Sequence, residues 1–218
     1  MSDTQTTHQA HLVHAPVESV DKKLTDRIVE IANTALDVKY RFFAEHANDV
    51  ARAALILIEA IRAGKKILLF GNGGSAADAQ HIAAEFVNRY QMERPGLAAI
   101  ALTTDTSILT SIANDTAFQE VFSRQIEALG QEGDVAVAIT TSGTSPNVIR
   151  GVEAARQRGL RTIGLLGKDG GAVKELVELP IIVPSPSTSR IQEVHITIGH
   201  IVCELVEQSL YPPTSAET

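Results

Sequence analysis

Five short apolar runs, at residues 66–70, 98–102, 135–139, 162–166 and 181–183, are each too brief for a buried helix and are bounded by turn-forming residues. Between them, at about residues 75–90, 106–129, 145–158 and 171–176, and again at 191–210, apolar positions recur at helical spacing. Strands separated by helices pair in parallel through right-handed crossovers, and those crossovers cover both faces of the sheet. The alternation therefore predicts an α/β fold, a three-layer sandwich around a mainly parallel five-stranded sheet. Upstream, Leu24, Ile28, Ile31, Val50, Ala54, Leu57, Ile58 and Ile61 mark one long helix or two consecutive ones, which Gly64 ends. The organisation expected is a loose tail over residues 1–20, a helical N-terminal extension over 21–64 that carries the oligomer contacts, and the α/β domain over 65–212.

Composition narrows the function classes. Of 218 residues, 19 are Lys or Arg and 26 Asp or Glu, a formal charge of −7 with no basic block, which disfavours a nucleic-acid partner. Trp is absent and aromatic residues are 4%, too few for a base-stacking platform. The single cysteine, Cys203, excludes an internal disulfide framework and fits a reducing compartment. No apolar run approaches the ~20 residues of a membrane span, and the N-terminus lacks the basic start and apolar core of a signal peptide. The expectation is a cytoplasmic protein with no membrane partner. His8, His11 and His14 lie in the tail, either as a metal site or as part of a solvated leader.

In an open parallel sheet, ligands bind beyond the carboxyl ends of the strands. Two strand-end loops are chemically distinctive there: Gly71-Asn72-Gly73-Gly74-Ser75 and Thr140-Thr141-Ser142-Gly143-Thr144-Ser145. Glycine lets backbone approach a ligand, and hydroxyls with helix N-terminal N–H groups bind an anion. The competing reading makes Ser75 and Ser145 plain N-caps and the glycines plain turns. Neither loop fits the P-loop or the dinucleotide fingerprint, so a small phosphorylated metabolite is a better fit than a nucleotide. His81 and Glu85, four residues apart on the helix after the first loop, share one face, as a metal pair, a base with its partner, or an exposed hydrogen-bonded pair. Asp78, one turn earlier, could orient His81. On the last helix, Gln192 and His200 are eight residues and about 12 Å apart. They meet at one metal only if Gln192 lies at a frayed helix start and reaches forward. His195 faces elsewhere and reads as a core or interface histidine, and Cys203 as a small buried residue.

These blocks, in order with Arg94-Pro95-Gly96, Asn114-Asp115, Gly167-Lys168-Asp169-Gly170-Gly171 and Arg190-Ile191-Gln192-Glu193, resemble the bacterial phosphoheptose isomerases, from about residue 45 to 210. The resemblance implies the sugar-isomerase (SIS) fold and interconversion of D-sedoheptulose 7-phosphate with D-glycero-D-manno-heptose 7-phosphate, the first step towards ADP- or GDP-heptose for surface lipopolysaccharide. It implies a homotetramer with active sites at subunit boundaries and one zinc ion per subunit, held by His81, Glu85, Gln192 and His200. It assigns the phosphorylated seven-carbon sugar to Asn72, Gly73, Gly74, Asn114, Asp115, Thr140, Thr141, Ser142 and Ser145, with Ser75, Glu85 and Gln192 completing the contacts. For that isomerisation Glu85 is read as the base and His200 as the second acid/base, and whether each acts mainly as a zinc ligand or as a proton carrier stays open in the sequence. Thr140 departs from the serine common at that position, and the N-terminal tail is longer than usual. A non-catalytic SIS-domain adaptor, the DnaA-initiator-associating protein, shares the fold but lacks the acid at the Glu85 position and the histidine at the His200 position.

Overall fold

The structure, a computed structural model, describes residues 21–212; the expected tail with its three histidines lies outside them. The chain falls into two units, one ending at Thr34 and one beginning at Ala35. A single helix, α1 (Lys22–Arg62), passes through both, which resolves the alternative of one helix or two. In the first unit its apolar residues Leu24, Ile28, Val29 and Ile31 are exposed.

In the second unit, the last turns of α1 bury Val50, Ala53, Ala54, Leu57 and Ile58. Gly64 takes a left-handed φ of 70°, and Lys65 N donates to Ala60 O at 2.9 Å, closing the helix end. The chain then enters β1 (Ile67–Gly71), α2 (Gly74–Val87), β2 (Ala99–Ala101), α3 (Thr106–Asp115), α4 (Ser123–Leu129), β3 (Val135–Thr140), α5 (Pro146–Gln157), β4 (Arg161–Gly167), β5 (Leu179–Val183) and α6 (Thr188–Leu210). All five strands are parallel, in the order β2-β1-β3-β4-β5. The α/β sandwich read from the alternation is the fold observed.

Residues alternate across the sheet as the pleat requires. Ile67, Leu69, Val135, Val137 and Ile139 pack against α1, α2 and α6 in one core. Leu68, Phe70, Ala136 and Ala138 pack against α4 and α5 in the other. Strands buried on both faces read as unbroken apolar runs, which is why they were visible in the sequence.

Two expected helices differ. The 106–129 pattern breaks at Thr116 and Ala117, where the backbone turns extended (Ala117 φ −167°, ψ 151°), and a short 3-10 turn at Phe118–Glu120 leads into α4. The buried Gln125 amide donates to Leu102 O (3.0 Å), just after β2, and to Val121 O (2.6 Å), just before α4. The 171–176 segment is a four-residue 3-10 turn, Ala172–Glu175, entered through a glycine at φ 53°.

Candidate active site

The sheet reverses its direction of winding between β1 and β3, and the crevice at that switch point is where open α/β sheets take ligands. Both distinctive loops leave from it, since Gly71 of β1 is in register with Ile139 of β3. A reciprocal pair of amide hydrogen bonds, Asn72 Nδ2 to Asn147 Oδ1 and Asn147 Nδ2 to Asn72 Oδ1, each 2.8 Å, ties the first loop to α5. Asn147 was not singled out in the sequence; it is buried, one place after the proline that starts α5. A cavity of about 180 Å³ opens beside Asn72 and Gly73, lined further by Ala76, Leu109 and Phe118.

The hydroxyl loop is held by backbone. Thr140 Oγ1 accepts from Gly143 N (3.2 Å), and Ser142 Oγ accepts from Thr144 N (3.3 Å) and Thr144 Oγ1 (3.1 Å). Gly143 and Gly171 both have positive φ, and a Cβ on Gly171 would lie 2.6 Å from the Ser142 and Gly143 carbonyl oxygens, so only glycine fits. Lys168, at φ 58°, is the one non-glycine among the described residues in the left-handed region and turns the chain into that contact. Ser145 is the N-cap of α5 by backbone geometry, yet its hydroxyl makes no capping bond. In the first loop the N-cap of α2 is Gly73, and Ser75 is buried. The plain N-cap reading therefore fails for the side chains of both serines.

The titratable residues converge on the seam between α2 and α6. Contacts advance together along both helices: Gln192 lies on Gly74, Gly199 on Ile82, and Glu207 on the turn after α2, so the two run parallel. A Cβ on Gly199 would come within 2.6 Å of Ile82 Cδ1, and the close approach it permits brings the neighbouring His200 to His81. Their Nε2 atoms are 3.3 Å apart, and His81 Nε2 is 3.2 Å from Glu85 Oε1. One ligand atom from each of His81, Glu85 and His200 fits within 4.8 Å of the others, so the three could hold a metal ion.

Gln192 has a different place. α6 begins at Thr188, so Gln192 sits inside the helix rather than at a frayed start. Its amide packs over the first turn of α2, with Cδ 2.9 Å from where a Gly74 Cβ would stand. That is about two turns, ~10 Å, before His81. Asn114 and Asp115 lie exposed at the end of α3, hydrogen-bonded to each other at 2.8 Å, and do not line the cavity beside Asn72. Burial pushes the Asp78 carboxyl up to about 6, against the pull of His81, and its Oδ2 is buried without a hydrogen-bond partner.

His195 is a core residue: Nε2 donates to Leu166 O at 2.9 Å, and burial lowers its pKa to about 4. Burial pushes the Cys203 thiol up to about 12, which makes it inert at neutral pH. A buried ion pair, Arg94 with Glu207, clamps the turn after α2; Arg94 belongs to a block visible in the sequence, whereas nothing in the local pattern marks Glu207.

The SIS domain family matches residues 31–167. The phosphoheptose isomerase of Trichlorobacter lovleyi is 56% identical over 168 residues, covering 77% of this chain and 86% of that protein. The phosphoheptose isomerase of Roseiflexus sp. is 50% identical over 199 residues, 91% of this chain and 99% of that one. The solved structure of the phosphoheptose isomerase from Neisseria gonorrhoeae matches with a TM-score of 0.81 at 42% identity, over 85% of this chain and 99% of its own.

Proposed function

Because the chain belongs to the phosphoheptose isomerase family of SIS-domain proteins, we propose that it interconverts D-sedoheptulose 7-phosphate and D-glycero-D-manno-heptose 7-phosphate through an enediol. The observation that carries this reading is the His81–Glu85–His200 cluster, set between α6 and the helix that follows the first switch-point loop. Aldose–ketose isomerisation shifts a proton between C1 and C2 and needs a base, a second group for the hydroxyl protons, and charge stabilisation at the carbonyl oxygen. Glu85, partly exposed and open to a sugar, is the base. His200, from the facing helix, carries the second proton. Thr141, Ser142 and Ser145 hold the phosphate, and Asn72, Gly73, Gly74, Ser75, Thr140 and Gln192 the chain between. The ~10 Å along α2 from Gly74 to His81 suits a ligand whose phosphate and reacting carbons lie at opposite ends. Asn114 and Asp115 complete the contacts.

The cluster's donor set, two imidazoles and a carboxylate, is one that catalytic zinc sites use, and neighbours around tetrahedral zinc sit about 3.3 Å apart. The 3.2 and 3.3 Å separations here support one zinc per subunit. Zinc bound there would supply Lewis-acid polarisation of the sugar carbonyl, with Glu85 and His200 released towards the substrate when they carry protons. Exposed apolar side chains on α1, among them Leu24, Ile28, Leu36 and Tyr40, support a homotetramer. Among the described residues no helix is long and apolar enough to cross a membrane; a cytoplasmic setting and a role in lipopolysaccharide heptose supply are part of the same proposal. The adaptor reading is disfavoured by the relatives and by the presence of both Glu85 and His200.

The test is incubation with sedoheptulose 7-phosphate, with and without a chelator, and detection of the aldose. Turnover that the chelator abolishes is expected. No aldose under either condition overturns the activity, and full turnover in chelator overturns the metal.

A further inference from the structure

An imidazole is poorly fixed by its own torsions, because χ2 of histidine has broad wells. His200 must therefore be oriented from outside, and two rings lie against it. His81 is T-shaped to it, with centroids 5.0 Å apart, planes at 67° and the two Nε2 atoms 3.3 Å apart. Tyr90 lies nearly parallel to it, at 5.9 Å and 26°, within the range of an offset stack.

Tyr90 stands in the irregular turn after α2, where a side chain has no helix to hold it. Its backbone is held by one buried carboxylate. Glu207 of α6 accepts from Tyr90 N (3.1 Å), Gln91 N (2.8 Å), Met92 N (2.9 Å) and Arg94 Nε (2.9 Å). Arg94 in turn donates through Nη2 to Glu85 O (2.7 Å) and through Nη1 to Phe86 O (2.9 Å). Both side chains of the pair are 2% exposed. A buried pair of this kind is weak evidence for stability, so geometry is the better account of what it does.

We propose that Tyr90 is a positioning residue that fixes the His200 imidazole, and that the buried Arg94–Glu207 pair acts on the reaction by holding Tyr90 against His200 and the Glu85 backbone in place. The proposal rests on His200 being an acid/base group, and its test separates the two. The first readout is the His200 Cε1–H resonance in protein labelled with ¹³C-histidine, assigned by its loss in His200→Gln. Tyr90→Leu removes the stacked ring and shifts that resonance. Tyr90→Phe restores it. Glu207→Gln, which leaves Tyr90 in the chain but weakens its tether, shifts it in the same direction as Tyr90→Leu. The second readout is turnover of sedoheptulose 7-phosphate. Tyr90→Leu and Glu207→Gln lower kcat on the order of 10–10²-fold at little-changed KM, the size expected of a misplaced reacting group, and Tyr90→Phe recovers most of it. A His200 resonance and kcat unmoved by Tyr90→Leu overturn the proposal. A kcat loss in Glu207→Gln with an unmoved His200 resonance overturns the part assigned to the ion pair. If the parent protein turns over no heptulose while Tyr90→Leu still shifts the resonance, the positioning stands and the acid/base reading falls. Should Glu207→Gln not fold, the partly exposed Tyr90 ring carries the test alone.

Discussion

The loop at residues 140–145 is built largely from backbone, whereas the cluster on α2 and α6 is built from side chains. In the loop, Thr140 and Ser142 spend their acceptor capacity on Gly143 and Thr144 N–H groups, and paired glycines lock the turn from behind. That leaves hydroxyl protons to point at a ligand from a frame that does not adjust. In the cluster, two imidazoles and a carboxylate face one another within 4.8 Å and depend on helix packing for their spacing. A charged, symmetrical phosphate is well served by a rigid cradle of donors. Proton transfer instead needs groups that change charge, and these have to be side chains. One region should therefore govern binding and the other the chemical step, and substitutions can separate them.

The largest separation is expected at Glu85. Glu85→Gln keeps the size of the side chain and removes the base, and loss of a positioned base costs about 10²–10⁴ in rate. KM should change little, and the variant should fail to exchange the aldose C2 proton with solvent deuterium. Turnover at the parent's rate would transfer the proton step to another group and dissolve the division between the two regions.

His195 joins them. It lies on α6 between Gln192 and His200, and its Nε2–H donates to the carbonyl of Leu166, the strand residue paired with Thr140. Its pKa is lowered to about 4 by burial, which outweighs the hydrogen bond, while the unfolded chain has the ordinary 6.5. Above pH 6.5 neither state binds this proton. As pH falls from 6.5 towards 4 the unfolded state binds it and the native state does not, so stability falls, by about 3 kcal/mol in total. Urea unfolding at pH 7.5 and 5 should show about 2 kcal/mol of loss from this group. His195→Gln, which keeps an N–H for Leu166, should remove that part of the slope. An unchanged slope would mean that the histidine is not buried as a neutral ring.

Thr141→Ala and Ser142→Ala should each weaken substrate binding by roughly 1–3 kcal/mol, the worth of a hydrogen bond to a charged group, with kcat largely kept. KM and kcat both at parent values would remove the phosphate from the loop. A fall in kcat alone would place the loop on the chemical side of the comparison.

The two regions also differ in how plainly the sequence displayed them. The hydroxyl loop is contiguous, follows a strand that reads as an apolar run, and needs only local backbone rules to be recognised. The cluster joins His81 to His200 across 119 positions. Spacing placed His81 and Glu85 on one face but left their role open, and it gave no reason for His200 to join them. What brings it there is the missing side chain of Gly199, which admits Ile82, and a glycine inside a helix announces no such contact. The family resemblance supplied the pairing that periodicity could not. For Gln192, periodicity set out the difficulty correctly, since the residue proves to be helical and to lie over Gly74. Asn147 and Glu207 were not legible because their partners, Asn72 and the turn after α2, are fixed only by tertiary packing.

The smallest effect is expected at Thr140, and it sharpens the comparison most finely. Its side chain is buried, and its Oγ1 accepts from Gly143 N at 3.2 Å, so the hydroxyl serves the loop frame even if its proton reaches the sugar phosphate. Thr140→Ser keeps that acceptor and deletes one buried methyl. The cost should be confined to stability, at about 0.8 kcal/mol or less, with KM unchanged. Thr140→Val has nearly the same shape but leaves the Gly143 N–H unpaired, and should cost more, roughly 1–3 kcal/mol, with a rise in KM as the turn loosens. Thermal melts and KM measured on both variants decide between two roles. If Thr140→Ser raises KM while Thr140→Val leaves stability untouched, Thr140 touches the substrate through its methyl and does not hold the frame. If stability drops in Thr140→Val and KM follows it, the backbone of the loop is the binding element, and the hydroxyl of Thr140 is there to shape it.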